Sequence, residues 1–192
     1  MPVAPEDALA RLKDGNERFV EGRPEHRFGA EERSACCAAQ YPFAVVIGCS
    51  DSRVPVEAVF DAGVGEIFVV RTAGHVLTAA GLASVRFAVE KLGARLVVVL
   101  GHEECGAVSA ALAGGAPEWL DPIIDKIDVS SADAATAPGD AENPLLAAAV
   151  DVHVENTVRH MREFVDGFDV EAPLVTGASY RLASGLVHWM TD

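Results

Sequence analysis

The sequence predicts an α/β fold: a mainly parallel four-stranded sheet in the order 2-1-3-4, an antiparallel edge strand beside it, and helices on both faces. Three observations carry this reading. Short apolar runs bounded by Pro or Gly recur at Phe43 to Ile47, Ile67 to Val70, Arg95 to Gly101 and Leu174 to Gly177. Continuous β-branched runs of that length read as strands buried on both faces, as in parallel sheets. Stretches with helical periodicity separate them, which is the alternation that builds βαβ units. Finally, the first and third runs both end in polar, chemistry-bearing residues. In a doubly wound sheet the ligand cleft lies at the carboxyl ends of strands, where strand order reverses. Order 2-1-3-4 makes those two strands neighbours across that point.

In chain order, Pro5 to Val20 is expected to be helical. Pro5, Glu6 and Asp7 suit a first turn, and Leu9, Leu12, Phe19 and Val20 form an apolar stripe. This N-terminal helical arm, about residues 1–35, needs a surface to lie on, and a partner subunit is one such surface. Residues 21–35 read as a loop with one helical turn, and 34–40 as a short helix ending at Gln40 before Tyr41-Pro42. Pro55 suits the first position of a short helix over Val56 to Asp61, stopped by Gly63 and Gly65. Thr78 caps a helix that runs to Leu92 with Gly93 past its end. Gly106 to Leu112 is the next helix. Residues 115–144, with five acidic residues from 118 to 133 and prolines at 117, 122 and 138, are expected to hold a short helix at Ile123 to Ile127 and a mobile loop at 130–143. Ala147, Val150, Val154, Val158, Met161 and Val165 keep helical register over 145–165. Ala183-Ser184-Gly185 turns the last strand back as an antiparallel edge.

Length and composition bound the function. The 192 residues, half of them hydrophobic, suit one domain, 1–192, with a substantial core. A net charge of −14 argues against nucleic acid and anionic membranes as partners. Lysine is scarce (13, 91 and 126), which fits a salt-rich cytoplasm or an acidic protein from a GC-rich genome. The first residues lack the basic and apolar regions of a signal peptide, and no window is long and apolar enough to span a membrane. Two of the four cysteines lie in motifs and two, Cys36 and Cys37, are vicinal, which is no disulfide framework. The expected compartment is the cytoplasm.

The chemistry sits in two stretches. FAVVIGCSDSR places Cys49, Asp51 and Arg53 at alternate positions, on one side of an extended segment. RLVVVLGHEEC ends in His102 and Cys105. Two thiolates and an imidazole are soft-to-borderline donors that suit zinc, with a fourth position left to Asp51 or water; such an open place marks catalytic rather than structural zinc. Buried free thiols or a closed structural site are the plainer alternatives. Phe68 and Phe87 have a sufficient explanation in packing, and Cys36 and Cys37 in burial. His153 and His160, seven apart, are metal ligands or surface and interface residues.

CSDSR followed about fifty residues later by GHEECG resembles the β-class carbonic anhydrases, and LKDGNERFVEGRP, FVVRTAG and VTGASYRL extend the likeness over most of the chain. The wording is closer to the plant-type branch. The bicarbonate-regulated branch has Trp where Val46 stands, so its allosteric site is not carried over. The resemblance implies one zinc per subunit held by Cys49, His102 and Cys105, with Asp51 able to ligate it at lower pH. It implies an Asp51–Arg53 dyad in which Arg53 holds Asp51 off the metal and Asp51 orients zinc-bound hydroxide. It implies reversible hydration of carbon dioxide to bicarbonate and a proton by attack of that hydroxide, hence a lyase, carbonate dehydratase. Gln40 matches a glutamine that donates to substrate across a dimer interface. Phe68 matches an apolar pocket aromatic, Phe87 replaces a tyrosine, and Gly106 closes the second motif on the substrate side. His75 stands where relatives have asparagine, as a proton shuttle or a structural hydrogen-bonding residue. A homodimer or dimer of dimers is implied. The same scaffold acting on carbon disulfide, and a non-catalytic zinc or thiol-redox protein, are the alternative functions.

Overall fold

The computed structural model describes residues 2–26, 28–137 and 141–190. Five strands form one sheet in the order β2-β1-β3-β4-β5: β1 (Ala44–Cys49), β2 (Ile67–Thr72), β3 (Leu96–His102), β4 (Leu174–Tyr180) and β5 (Val187–Trp189). The first four are parallel and β5 is antiparallel to β4, as the apolar runs and the closing turn predict. Each strand extends one to three residues beyond the apolar run that announced it. The β1–β3 pairing aligns Ile47 with Val99 and Gly48 with Leu100, so both polar exits lie at one edge.

Both central strands are buried throughout. Alternation divides their side chains between two cores. Val45, Ile47, Cys49, Val97 and Val99 face α4 (Ala79–Leu92), α5 (Gly106–Ala113) and α7 (Pro144–Val165). Ala44, Val46, Leu96, Val98 and Leu100 face α1 (Pro5–Val20) and α3 (Val56–Val59). Cys49 therefore enters the α4/α7 side because it continues the odd-numbered row of β1.

Local chemistry sets the helix ends. Thr78 accepts from Gly81 N–H at the start of α4, and Gly93 at φ 77° ends it. Asn143 accepts from Leu146 N–H ahead of Pro144 at the start of α7. All six residues expected on the inner stripe of α7 are buried. Gly101 lets α7 lie against β3, because a Cβ there would sit 2.6 Å from Val154 Cγ2. Pro55 caps α3 rather than opening it.

Four expectations change. The helix placed at 34–40 is instead α2, Ala30–Ala35, which starts after Gly29 with Glu31 and Glu32 in its first turn; Cys36 leaves helical geometry. The short helix near Ile123 is α6, Asp121–Ile124, entered through a 3₁₀ turn. In the loop expected at 130–143, Ala134–Thr136 form a 3₁₀ turn, and 138–140 lie outside the described residues. Cys36 is half-buried and Cys37 exposed, so burial does not account for this pair.

The surface under α1 belongs to the chain itself. Its buried face is Ala8, Leu12, Gly15 and Asn16, while Val20 is exposed. Small residues let the helix approach closely, and Leu12, wholly buried, contributes about 1.5–3 kcal/mol. Asn16 donates to Val59 O and Gly185 O and accepts from Val187 N–H, tying the helix to α3 and to the β4–β5 turn. A Cβ on Gly15 would fall 1.9 Å from Phe60 O, which is backbone and cannot swing away. Gly15→Ala is expected to lower stability by about 2 kcal/mol or more, read as a lower urea midpoint at unchanged m-value; a wild-type midpoint would mean that α1 does not pack here.

Candidate metal centre

Cys49 ends β1, His102 ends β3, and Cys105 immediately precedes α5. Their donor atoms all lie within 4.8 Å of one another, and all three residues are buried. His102 Nδ1 is 2.7 Å from Glu103 O. A carbonyl only accepts, so Nδ1 carries the proton and Nε2 keeps its lone pair. Nε2 is buried and has no hydrogen-bond partner among the described residues. A buried acceptor left unsatisfied costs about 1–3 kcal/mol. Here it faces two sulfurs, which is the arrangement a cation satisfies.

The thiols are electrostatically linked. The Cys105 thiol beside it, with the N–H groups of Asp51 and Gly74, holds the Cys49 thiol below its ordinary range against desolvation. The neighbouring Cys49 sulfur, together with burial, pushes Cys105 up. A divalent cation between two close buried thiols would favour the thiolate form of both. Asp51 N–H and Gly74 N–H both donate to Cys49 Sγ, at 3.4 and 3.3 Å.

Asp51 and Arg53 form a two-pronged pair: Arg53 Nε to Oδ1 at 3.0 Å and Nη2 to Oδ2 at 2.7 Å, with Arg53 N–H also donating to Oδ1 at 2.9 Å. Arg53 holds the Asp51 carboxyl well below the usual carboxylate range. Asp51 Oδ2 lies 3.9 Å from His102 Nε2, beside the donor cluster and engaged by Arg53. Arg53 Nη2 also donates to Glu104 O at 3.1 Å, which joins the two motif loops. Arg71 was not legible in the sequence as part of this frame. From the adjacent β2 it donates to Cys49 O at 2.9 Å and Asp51 O at 2.7 Å, fixing the exit of β1. Its one signal was its position in the segment after the second apolar run.

Other anticipated residues lie elsewhere or have different surroundings. Gln40 is exposed in a groove with Cys36, Cys37, Tyr41, Lys91 and Leu92. Phe87 is 49% exposed on α4. Phe68 packs half-buried against the α4/α7 core. Gly106 follows Cys105, and space is open where its Cβ would be. His160 is exposed, whereas His153 is buried and stacked on His75, ring centroids 4.4 Å apart. His75 is wholly buried, and among the described residues neither ring nitrogen has a hydrogen-bond partner. The structural hydrogen bond expected of it is not found among the described residues, and full burial leaves its ring out of contact with solvent.

The doubly wound sheet thus carries at its carboxyl edge a Cys-His-Cys donor set able to hold a metal ion. The carbonic anhydrase family model matches residues 44–187. The chain belongs to that family. It is 40% identical to a carbonic anhydrase of Mycolicibacterium smegmatis over 192 residues, covering 97% of this chain and 92% of the relative. It is 55% identical to carbonic anhydrase 2 of Mycobacterium tuberculosis over 113 residues, 58% of this chain and 53%, about half, of that relative. The fold is that of β-carbonic anhydrases. A tetrameric enzyme of Sordaria macrospora superposes with TM-score 0.70 at 22% identity, covering 97% of this chain and 96% of the other. A Coccomyxa enzyme in complex with acetazolamide gives 0.67 at 24% identity, covering 96% and 86%.

Burial, reinforced by neighbouring imidazoles, pushes His75 far down; burial also lowers His153. In the unfolded chain each titrates near 6.5, so below that pH the unfolded state binds more protons. The stability from keeping them neutral is present above about pH 6.5 and falls as pH drops, by up to about 1.4 kcal/mol per unit for each histidine. Urea midpoints of chelator-treated protein should decline from pH 8 to 5.5. A constant midpoint would show the pair is not buried neutral.

Proposed function

We propose that the chain is a zinc-dependent carbonic anhydrase that reversibly hydrates carbon dioxide to bicarbonate and a proton. The observation that carries this is the unpartnered, buried His102 Nε2 facing Cys49 and Cys105. Two sulfurs and one nitrogen are the donors zinc prefers among common divalent ions. Held by Cys49, His102 and Cys105, zinc would supply a Lewis acid that acidifies a coordinated water.

The protein's own groups do the rest. Arg53 fixes Asp51 through three hydrogen bonds, so the carboxylate stays ionised beside the cluster, and at lower pH Asp51 is the proposed fourth ligand. An ionised carboxylate only accepts, so Asp51 orients a donor O–H beside the cluster and leaves an oxygen lone pair free for the substrate carbon. Buried aliphatic residues around Cys49 favour an apolar gas over water. Gln40, Phe68, Phe87 and Gly106 are the proposed substrate-side residues. For exposed Gln40 that role requires a second subunit, which supports a homodimer or dimer of dimers. Residues 1–192 would work as one domain in the cytoplasm; among the described residues no helix is long and apolar enough to cross a membrane. The paired Asp51 and Arg53 favour this reading over a non-catalytic thiol-redox protein.

Metal analysis with a stopped-flow indicator assay tests the proposal. Wild type should carry one zinc per chain and acidify the buffer on mixing with carbon dioxide, faster as pH rises, because two thiolates leave the metal a weaker acidifier than three imidazoles would. Asp51→Ala should keep the zinc and lose about 100-fold or more in kcat/KM. Unchanged activity in that variant removes Asp51 from the mechanism, and a wild type that binds zinc but ignores carbon dioxide favours another small electrophile such as carbon disulfide.

A further inference from the structure

One buried group next to the donor cluster takes no part in the chemistry above. His153 on α7 is 2% exposed, and its Nε2 lies 2.9 Å from Gly74 O. The carbonyl can only accept, so Nε2 carries the proton and donates. Gly74 in turn donates its N–H to Cys49 Sγ at 3.3 Å. The two hydrogen bonds run in series from α7 through a single residue to the sulfur.

The residues around that link are tightly constrained. Gly74 has φ 63°, and a Cβ on it would meet Ile127 Cδ1 at 2.9 Å and Ala107 Cβ at 3.0 Å. His75 follows at φ 45°, a second left-handed residue in succession, uncommon outside glycine. Such a turn persists only where its surroundings over-determine it. The His75 ring, unpartnered at both nitrogens, stacks on the His153 ring at 4.4 Å and 30°. It thus offers a face that orients His153 rather than a hydrogen bond.

We infer that His153 is a positioning residue for the metal-binding thiolate: its Nε2–H anchors the Gly74 carbonyl and so aims the Gly74 N–H at Cys49 Sγ. An N–H directed at a thiolate fixes the sulfur lone pairs and withdraws part of the charge it gives a metal. Removing the anchor frees the 74–75 turn and misdirects that N–H. The inference rests on the zinc reading of Cys49, His102 and Cys105, and its test separates the two.

Metal affinity and the thiolate-to-cobalt charge-transfer band of the cobalt(II)-substituted protein are the readouts. His153→Leu packs without a donor; His153→Gln keeps an N–H of similar reach. Val158→Ala, on the same buried face of α7, controls for lost packing. The leucine variant should weaken metal binding about 10-fold or more and shift the band. The glutamine variant should restore most of both, and Val158→Ala should lower stability with both readouts at wild-type values. A leucine variant with wild-type affinity and band overturns the inference. Should that variant not fold, ¹⁵N spectra of the wild-type cadmium-113 protein decide: a His153 proton on Nε2 and a Gly74 amide coupled to cadmium through sulfur support it, and a ring protonated on Nδ1 overturns it. A wild type that binds neither zinc nor cobalt fails the site reading itself, and the inference with it.

Discussion

The pairing of β1 with β3 is the constraint on which everything else depends. Parallel neighbours with Gly48 opposite Leu100 must leave the sheet together, so the residues that follow meet at one edge. Cys49 and His102 are fifty-three positions apart in sequence, yet their placement costs no extra ordering once the strands are formed. Each exit is then held from the flank. Arg71 on β2 grips the carbonyls of Cys49 and Asp51, and Glu103 accepts from Leu182 N–H beyond β4.

Strain concentrates where the chemistry is. Of the non-glycine residues at positive φ, His75 and Glu104 border the donor cluster. Each costs on the order of 1–3 kcal/mol. Glu104 is offset by the Arg53 bond to its carbonyl, and His75 by its stack on His153. The cluster is built by sharp turns at strand ends, which set donor directions that a regular strand or helix would not allow.

Much of the fold was legible because its signals are local. A buried parallel strand must be apolar on both sides, so β1 and β3 announce themselves as unbroken runs. Thr78 and Gly93 mark the ends of α4 by their own backbone demands. The stripe of α1 holds at Leu9, Leu12 and Phe19, and the rest of its buried face is alanine, glycine and asparagine, which hydropathy does not register. No helix forms at 34–40 because Gly29 and the first-turn acids Glu31 and Glu32 start α2 earlier, and Cys36 ends it.

What the sequence determined by itself is chemical type and strand assignment. Two thiols, an imidazole, a carboxylate and a guanidinium at the ends of apolar runs can serve few purposes, and the spacing within each motif is short enough for local geometry to fix it. What the tertiary structure decided is partnership. That His153 anchors Gly74, that Arg71 staples the β1 exit, that α1 lies on its own sheet and that His75 stacks rather than hydrogen-bonds all depend on contacts between distant segments. A side chain's identity limits which bonds it can make, but its bonding partner is selected by the packing of whole elements, which no local pattern encodes.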